Sequence, residues 1–246
     1  MPPMLKIIRL TLFAIWVVIA ATLGTLRALF KPFDTKSLML TANLIKHGDK
    51  ILGLNIIVRN REILLRERPC VFISNHQDNL DIILGSKMIA ERIVTIGKRS
   101  ILFIPFFGIF YWLSGNILIN RGNKRSAFGT MDTASRSIKE KNLSIWIMPE
   151  GTRSRGRGLL PFKKGPFVTA IKAQVPIVPV AWSNYIQTMD LNKWRAGVVI
   201  EEVLEPIQTA GMTLDDVDRL KDHCYQVLKT AIERIDAEAK VLYEQA

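Results

Sequence analysis

Seven short apolar runs, separated by stretches of helical periodicity, constrain this 246-residue chain more than any other feature. They lie at Asn55–Arg59, Cys70–Ser74, Ile93–Ile96, Gly115–Asn120, Leu143–Met148, Ile177–Ala181 and Val198–Val203. Helical patterns intervene at Leu80–Ile89, Ser126–Glu140 and Pro166–Ala173. Strands that alternate with helices predict an α/β domain with a mixed, largely parallel sheet flanked by helices. In such sheets ligands collect at the carboxyl ends of the strands. The last segment opens on Thr213-Leu214-Asp215-Asp216, a helix N-cap with acids in the first turn. It then runs as an amphipathic packing helix to about Tyr243. There is no internal repeat and no low-complexity linker.

The first fifty residues have a different character. Leu10 to Leu26 is a 17-residue run without charge, at the lower limit for crossing a bilayer. Lys6 and Arg9 before it nearly balance Arg27 and Lys31 after it, so orientation is unreadable. No small-residue cleavage site follows, which favours a retained anchor over a removable signal peptide. Asp34 to Leu52 reads as a second, amphipathic helix, and a hairpin dipped into one leaflet fits as well as a true span. The expected organisation is therefore residues 1–54 as membrane-anchoring helices and 55–246 as the α/β domain. Ser100 to Asn120 carries no charge over 21 residues, yet Pro105, Gly108 and Gly115 interrupt it. It is expected to pack at the core or to touch the membrane through Phe103, Phe106, Phe107, Phe110, Tyr111 and Trp112.

The net charge of +12 is unevenly placed. Fourteen Lys/Arg face three acids between Lys98 and Lys172, whereas five face eleven from Glu201 to Ala246. A basic centre suits an anionic ligand or an anionic lipid surface. The basic residues are not interleaved with aromatics as in an RNA or DNA module, so no nucleic-acid partner is expected. Cys70 and Cys224 match no metal or redox spacing and read as free thiols of a reducing compartment. Three histidines without carboxylate help make no metal site, and no metal or cofactor is expected.

The chemistry concentrates in Asn75-His76-Gln77-Asp78-Asn79-Leu80-Asp81. A histidine titrating near neutrality can take a proton from an alcohol, while a carboxylate fixes its tautomer and stabilises the imidazolium. Five positions is a poor spacing for one helix face, so His76 belongs to a strand end and Asp81 to the start of the next helix. Alone, such a pair is more often a satisfied structural contact than a reacting one. A second constellation follows the strand Leu143–Met148, in Pro149-Glu150-Gly151-Thr152-Arg153. There Gly151 permits a tight turn with N–H groups presented to an anion, Thr152 adds a hydroxyl and Arg153 a planar charged fork. Lys98 and Arg121 also close strands, and with Arg153 they form a tripod suited to a phosphate dianion.

These residues carry a resemblance. Asn75-His76 with Asp81 resembles the first motif of the glycerolipid acyltransferases, and Gly115 to Arg121 the second. Glu150-Gly151-Thr152-Arg153 resembles the third motif and Val175-Pro176-Ile177-Val178-Pro179-Val180 the fourth, in order across residues 70–182. Ile104–Gly108 and Glu150–Gly165 are similar to the bacterial members that act on 1-acylglycerol-3-phosphate. Leu118 and Asn120 depart from the second motif, where Phe and Asp are frequent.

The resemblance implies transfer of a fatty acyl group from acyl-CoA or acyl carrier protein to the 2-hydroxyl of lysophosphatidate, giving phosphatidate. His76 would be the general base and Asp81 its partner, with Lys98, Arg121 and Arg153 on the acceptor phosphate. Glu150, Gly151 and Thr152 would line the acceptor and oxyanion region, Glu150 through a glycerol hydroxyl or an arginine. Pro176 and Pro179 would belong to the acyl or acceptor pocket, or simply stiffen an edge strand or a strand terminus. The implied setting is the inner membrane, with the site on the cytoplasmic side and membrane lipids as partners. Another acceptor, a hydrolase with His76 activating water, or a non-catalytic basic membrane protein are the rival readings.

Overall fold

The computed structural model describes residues 4–120 and 124–245, with side chains from residue 129 onward in the second stretch. The seven expected strands all form, their ends shifted by one or two residues: β1 (Leu54–Arg59), β2 (Val71–Ser74), β3 (Ile93–Lys98), β4 (Ile117–Ile119), β5 (Ser144–Ile147), β6 (Ile177–Trp182) and β7 (Gly197–Val203). They make one seven-stranded sheet in the order β1-β7-β6-β2-β5-β3-β4. Five neighbours, β6-β2-β5-β3-β4, are parallel to one another. β7 turns antiparallel to β6 and takes β1 with it. The sheet is thus mixed and largely parallel, as the alternating pattern predicts.

Among the described residues, three helices precede β1: α1 (Met4–Phe30), α2 (Thr35–Ile45) and α3 (Gly48–Leu52). The single second helix expected over Asp34–Leu52 is broken at Lys46-His47. At Gly48 an added Cβ would run into the Phe13 ring, so α3 starts afresh where the chain passes close to α1. Then come α4 (Arg61–Arg66), α5 (Asp81–Met88), α6 (Phe107–Leu113), α7 (Lys124–Lys141), α8 (Gly165–Ala173) and α9 (Val217–Glu244). The last is entered through a 3-10 turn capped by Thr213, whose hydroxyl and the Asp216 carboxylate bond each other's backbone N–H.

The central strands β2 and β5 are buried along their whole length, as parallel strands covered on both faces must be. Their alternation sends Val71, Ile73, Ile145 and Ile147 to one face, against α7, α8 and α9. Phe72 and Trp146 go to the other face, beneath α2, α4, α5 and α6. Phe72 and Trp146 stack at 5.4 Å, and Trp146 and Trp182 at 6.0 Å, forming an aromatic row under α5. Both cysteines are free and buried, and burial pushes the Cys224 thiol up to about 12.

Prolines were expected at an edge or a strand terminus, yet β6, which contains Pro179, is an interior strand. Ile177 and Ile207 bond each other on the β7 side, and Leu204 N–H donates to Pro179 O at 2.9 Å. The missing N–H of Pro179 therefore falls where the chain bulges between Leu204 and Ile207 and no ladder partner waits. Pro176 does sit just before the strand, as expected.

The uncharged stretch Ser100–Asn120 divides by residue. Phe110 and Tyr111 are buried, whereas Phe103, Phe106 and Trp112 point outward at 82%, 62% and 48% exposure.

Candidate active site

Parallel strands bring their carboxyl ends to one edge, and the chemistry-bearing residues arrive there from four of them. His76 follows β2, Glu150 follows β5, Lys98 closes β3 and Tyr185 follows β6. His76 is held at its own backbone. Its N–H donates to Glu150 Oε1 at 2.6 Å, and its carbonyl accepts from Ser154 N–H at 2.8 Å. Next to it, Gln77 O accepts from Arg155 N–H at 3.0 Å. On the other side, Asn75 exchanges two hydrogen bonds with the backbone of Trp182, each of 2.9 Å. The strand end is thus pinned to both neighbouring strands, which aims the imidazole.

His76 Nδ1 lies 2.5 Å from Asp81 Oδ2. Asp81 is the first residue of α5, where the positive end of the helix dipole favours an anion. Its Oδ2 also accepts from Gln77 N–H at 2.7 Å, and its Oδ1 from the Tyr185 hydroxyl at 2.7 Å. The turn from β2 into α5 is what lets residues five apart meet. In the tautomer that donates Nδ1–H to the carboxylate, Nε2 carries the lone pair, an arrangement able to accept a proton. The ring retains 16% of its side-chain exposure, against 4% for Asp81, so solvent reaches the imidazole while the carboxylate beneath it is closed off.

Glu150 has backbone partners in place of the hydroxyl or arginine expected. Its Oε2 accepts from Leu160 N–H at 2.9 Å, so the carboxylate ties the His76 peptide to the far end of the 151–160 loop. Burial pushes its carboxyl up to about 7, against the opposing pull of those two N–H groups. Gly151 has φ +68°, the left-handed region its residue type was read to serve. Its N–H, however, donates to Met148 O at 3.1 Å, closing its own turn, where the sequence suggested an anion. Thr152 and Arg153 follow on the exposed surface. Lys98, also exposed, ends β3, the strand paired with β5. Arg121 lies outside the described residues. Pro179 is buried within β6.

Sequence reasoning missed Tyr185 and the bracing role of Glu150. The signal for Tyr185 was available, since it follows a parallel strand end as His76 and Glu150 do.

Comparison with known proteins gives this constellation a family. A family model described as Acyltransferase matches residues 55–183. The chain is 40% identical over 235 residues to the 1-acyl-sn-glycerol-3-phosphate acyltransferase of Haemophilus influenzae, covering 96% of this chain and 98% of that protein. It is 39% identical over 235 residues to the Escherichia coli protein of the same name, covering 96% of each. Against the human protein named 1-acyl-sn-glycerol-3-phosphate acyltransferase beta, identity is 42% over 181 residues, covering 72% of this chain and 65% of that one. The crystal structure of the 1-acyl-sn-glycerophosphate (LPA) acyltransferase from Thermotoga maritima shares the fold, with a TM-score of 0.74 at 22% identity over 95% of each chain. The chain belongs to the acyltransferase family.

Proposed function

We propose that this protein transfers a fatty acyl group from acyl-CoA or acyl carrier protein to the 2-hydroxyl of 1-acylglycerol-3-phosphate, forming phosphatidate. The observation that carries the reading is the His76–Asp81 contact at the carboxyl edge of the sheet. His76 Nε2 removes the acceptor hydroxyl proton as the oxygen attacks the thioester carbon. Asp81 stabilises the imidazolium, and collapse of the tetrahedral intermediate expels the thiolate, which takes the proton from His76. The substrate is its own nucleophile, so no acyl-enzyme forms. Lys98, Arg121 and Arg153 hold the acceptor phosphate. The Thr152 hydroxyl and the turn around Gly151 face the developing oxyanion, where one donor is worth on the order of 100- to 1000-fold in rate. Glu150 acts in the acceptor region by holding the loop that carries them. Pro176 and Pro179 shape the end of β6 beside the acyl or acceptor pocket.

The protein works on the cytoplasmic face of the inner membrane, with α1 lying along one leaflet. α1 is long and apolar enough to cross a bilayer, with an 18-residue stretch of mean hydropathy 2.2. Its attachments support the in-plane reading. Arg9 donates to the carbonyls of Leu191, Lys193 and Trp194, Trp16 Nε1 donates to Leu44 O at 2.9 Å, and Arg27 pairs with Asp34 at 2.8 Å. Arg9 anchors the start of α1 to the loop at 191–194, while Trp16 and Arg27 fasten the rest of it to α2 and the turn before α2. A spanning α1 would give up the Arg9 bonds. Its opposite face, with Ile8, Leu12, Ile15, Ile19 and Leu23, is exposed and apolar.

Thiol release from acyl-CoA by the detergent-purified protein, with and without lysophosphatidate, tests the reading. Release should depend on acceptor and should vanish in His76→Ala at an unchanged melting temperature. Release without acceptor would indicate a thioesterase, and full activity in the variant would end His76's role as base.

A further inference from the structure

The geometry points to Tyr185 as a positioning residue that fixes the Asp81 carboxylate and so tunes the basicity of His76. This rests on the reading of His76 and Asp81 as the reacting pair. Tyr185 lies just past β6, its N–H donating to Ser183 O at 2.8 Å and its carbonyl accepting from Thr188 N–H at 3.2 Å. The side chain is 2% exposed and packed in the apolar cluster beneath α5, so it reaches no substrate. What it reaches is the far oxygen of Asp81, at 2.7 Å.

The two carboxylate oxygens divide their tasks. Oδ2 serves the imidazole and the N–H groups of Gln77 and Asp78. Oδ1 has the Tyr185 hydroxyl as its hydrogen-bond donor. Burial and the adjoining carboxylate push the phenol's ionisation far up, so it donates at every working pH. A hydrogen bond to Oδ1 holds the carboxylate plane so that Oδ2 meets Nδ1, and it draws charge away from the pair. Removing it leaves a buried anion short of a donor and raises the proton affinity of the dyad as a unit.

Other charged groups face this pair. Asp78 lies on the connecting turn, and Glu150 stands behind the His76 peptide. Glu201, buried on β7, senses Asp81, and Lys87 of α5 is paired at 2.6 Å with Asp49 of α3. All of these remain in a Tyr185→Phe variant, so a difference between the two pH profiles belongs to the hydroxyl.

Tyr185→Phe keeps the ring and deletes the donor. Acceptor-dependent thiol release should fall about tenfold in kcat, with KM for the acceptor unchanged and the acid limb moved up by about one pH unit. The His76 imidazole, followed by nitrogen NMR in detergent, should titrate higher by the same amount. Fluorotyrosine at position 185 strengthens the donor and should move both readings the opposite way. An acid limb and an imidazole titration unmoved by either change would reduce Tyr185 to packing and overturn the inference. If wild type transfers no acyl group, the proposed function fails, while the imidazole titration still decides the role of Tyr185.

Discussion

Glu150 sits between the His76 peptide and the loop that follows β5, and burial pushes its carboxyl up to about 7. The value of about 7 in the fold lies above the ordinary 4.5, so the folded chain keeps a proton through an interval in which the unfolded chain has lost it. Stability therefore falls as pH rises from about 4.5 to about 7 and levels off above, by on the order of 3 kcal/mol. Glu150→Gln should flatten the melting temperature between those limits, and an unchanged slope would mean that another group titrates there. The same variant offers one acceptor oxygen to two N–H groups, so activity should drop about tenfold as the His76 peptide loosens. His76 and Glu150 stand out in the sequence because each follows an apolar strand run, and Asp81 because it opens the helix that comes next. The partners of Glu150 were not legible, because backbone N–H groups carry no mark in a sequence. Tyr185 was overlooked because its link to Asp81 spans more than a hundred positions and closes only when β6 lies beside β2.

Strands and helices leave a periodic mark in the sequence, and the joints between them do not. The strands declare themselves through short apolar runs between turns, and burial of both sheet faces follows from their composition. The break between α2 and α3 and the interior position of Pro179 depend on what passes nearby, which periodicity does not record. The seat of α1 is a matter of close approach. A Cβ at Gly24 would run into Thr41 Oγ1 and the Phe110 ring, so glycine there lets α1 meet α2 and α6. Gly24→Val should push the helix off its seat and destabilise the fold by about 1–3 kcal/mol. The melting temperature in detergent measures this, and no change would show that α1 is not held where it lies.

At the scale of the whole molecule, three properties converge on a membrane surface: the +12 charge, the outward apolar face of α1, and the exposed Phe103, Phe106 and Trp112. Binding to vesicles containing anionic lipid should weaken with added salt, since exposed charges are screened within about 10 Å at moderate ionic strength. Phe106→Ser should weaken it about tenfold at unchanged melting temperature, the cost of losing one buried aromatic. Vesicle flotation reads both effects, and binding indifferent to salt and to this substitution would remove the membrane face. The proposed chemistry requires that His76 activate the 2-hydroxyl of the acceptor. Incubation with 1-acylglycerol-3-phosphate and labelled acyl-CoA or acyl carrier protein, followed by selective cleavage of the 2-position ester, measures it most directly. All label should sit at that position with the wild-type protein and none with His76→Ala. Label recovered as free fatty acid, or an undiminished yield from the variant, would contradict it.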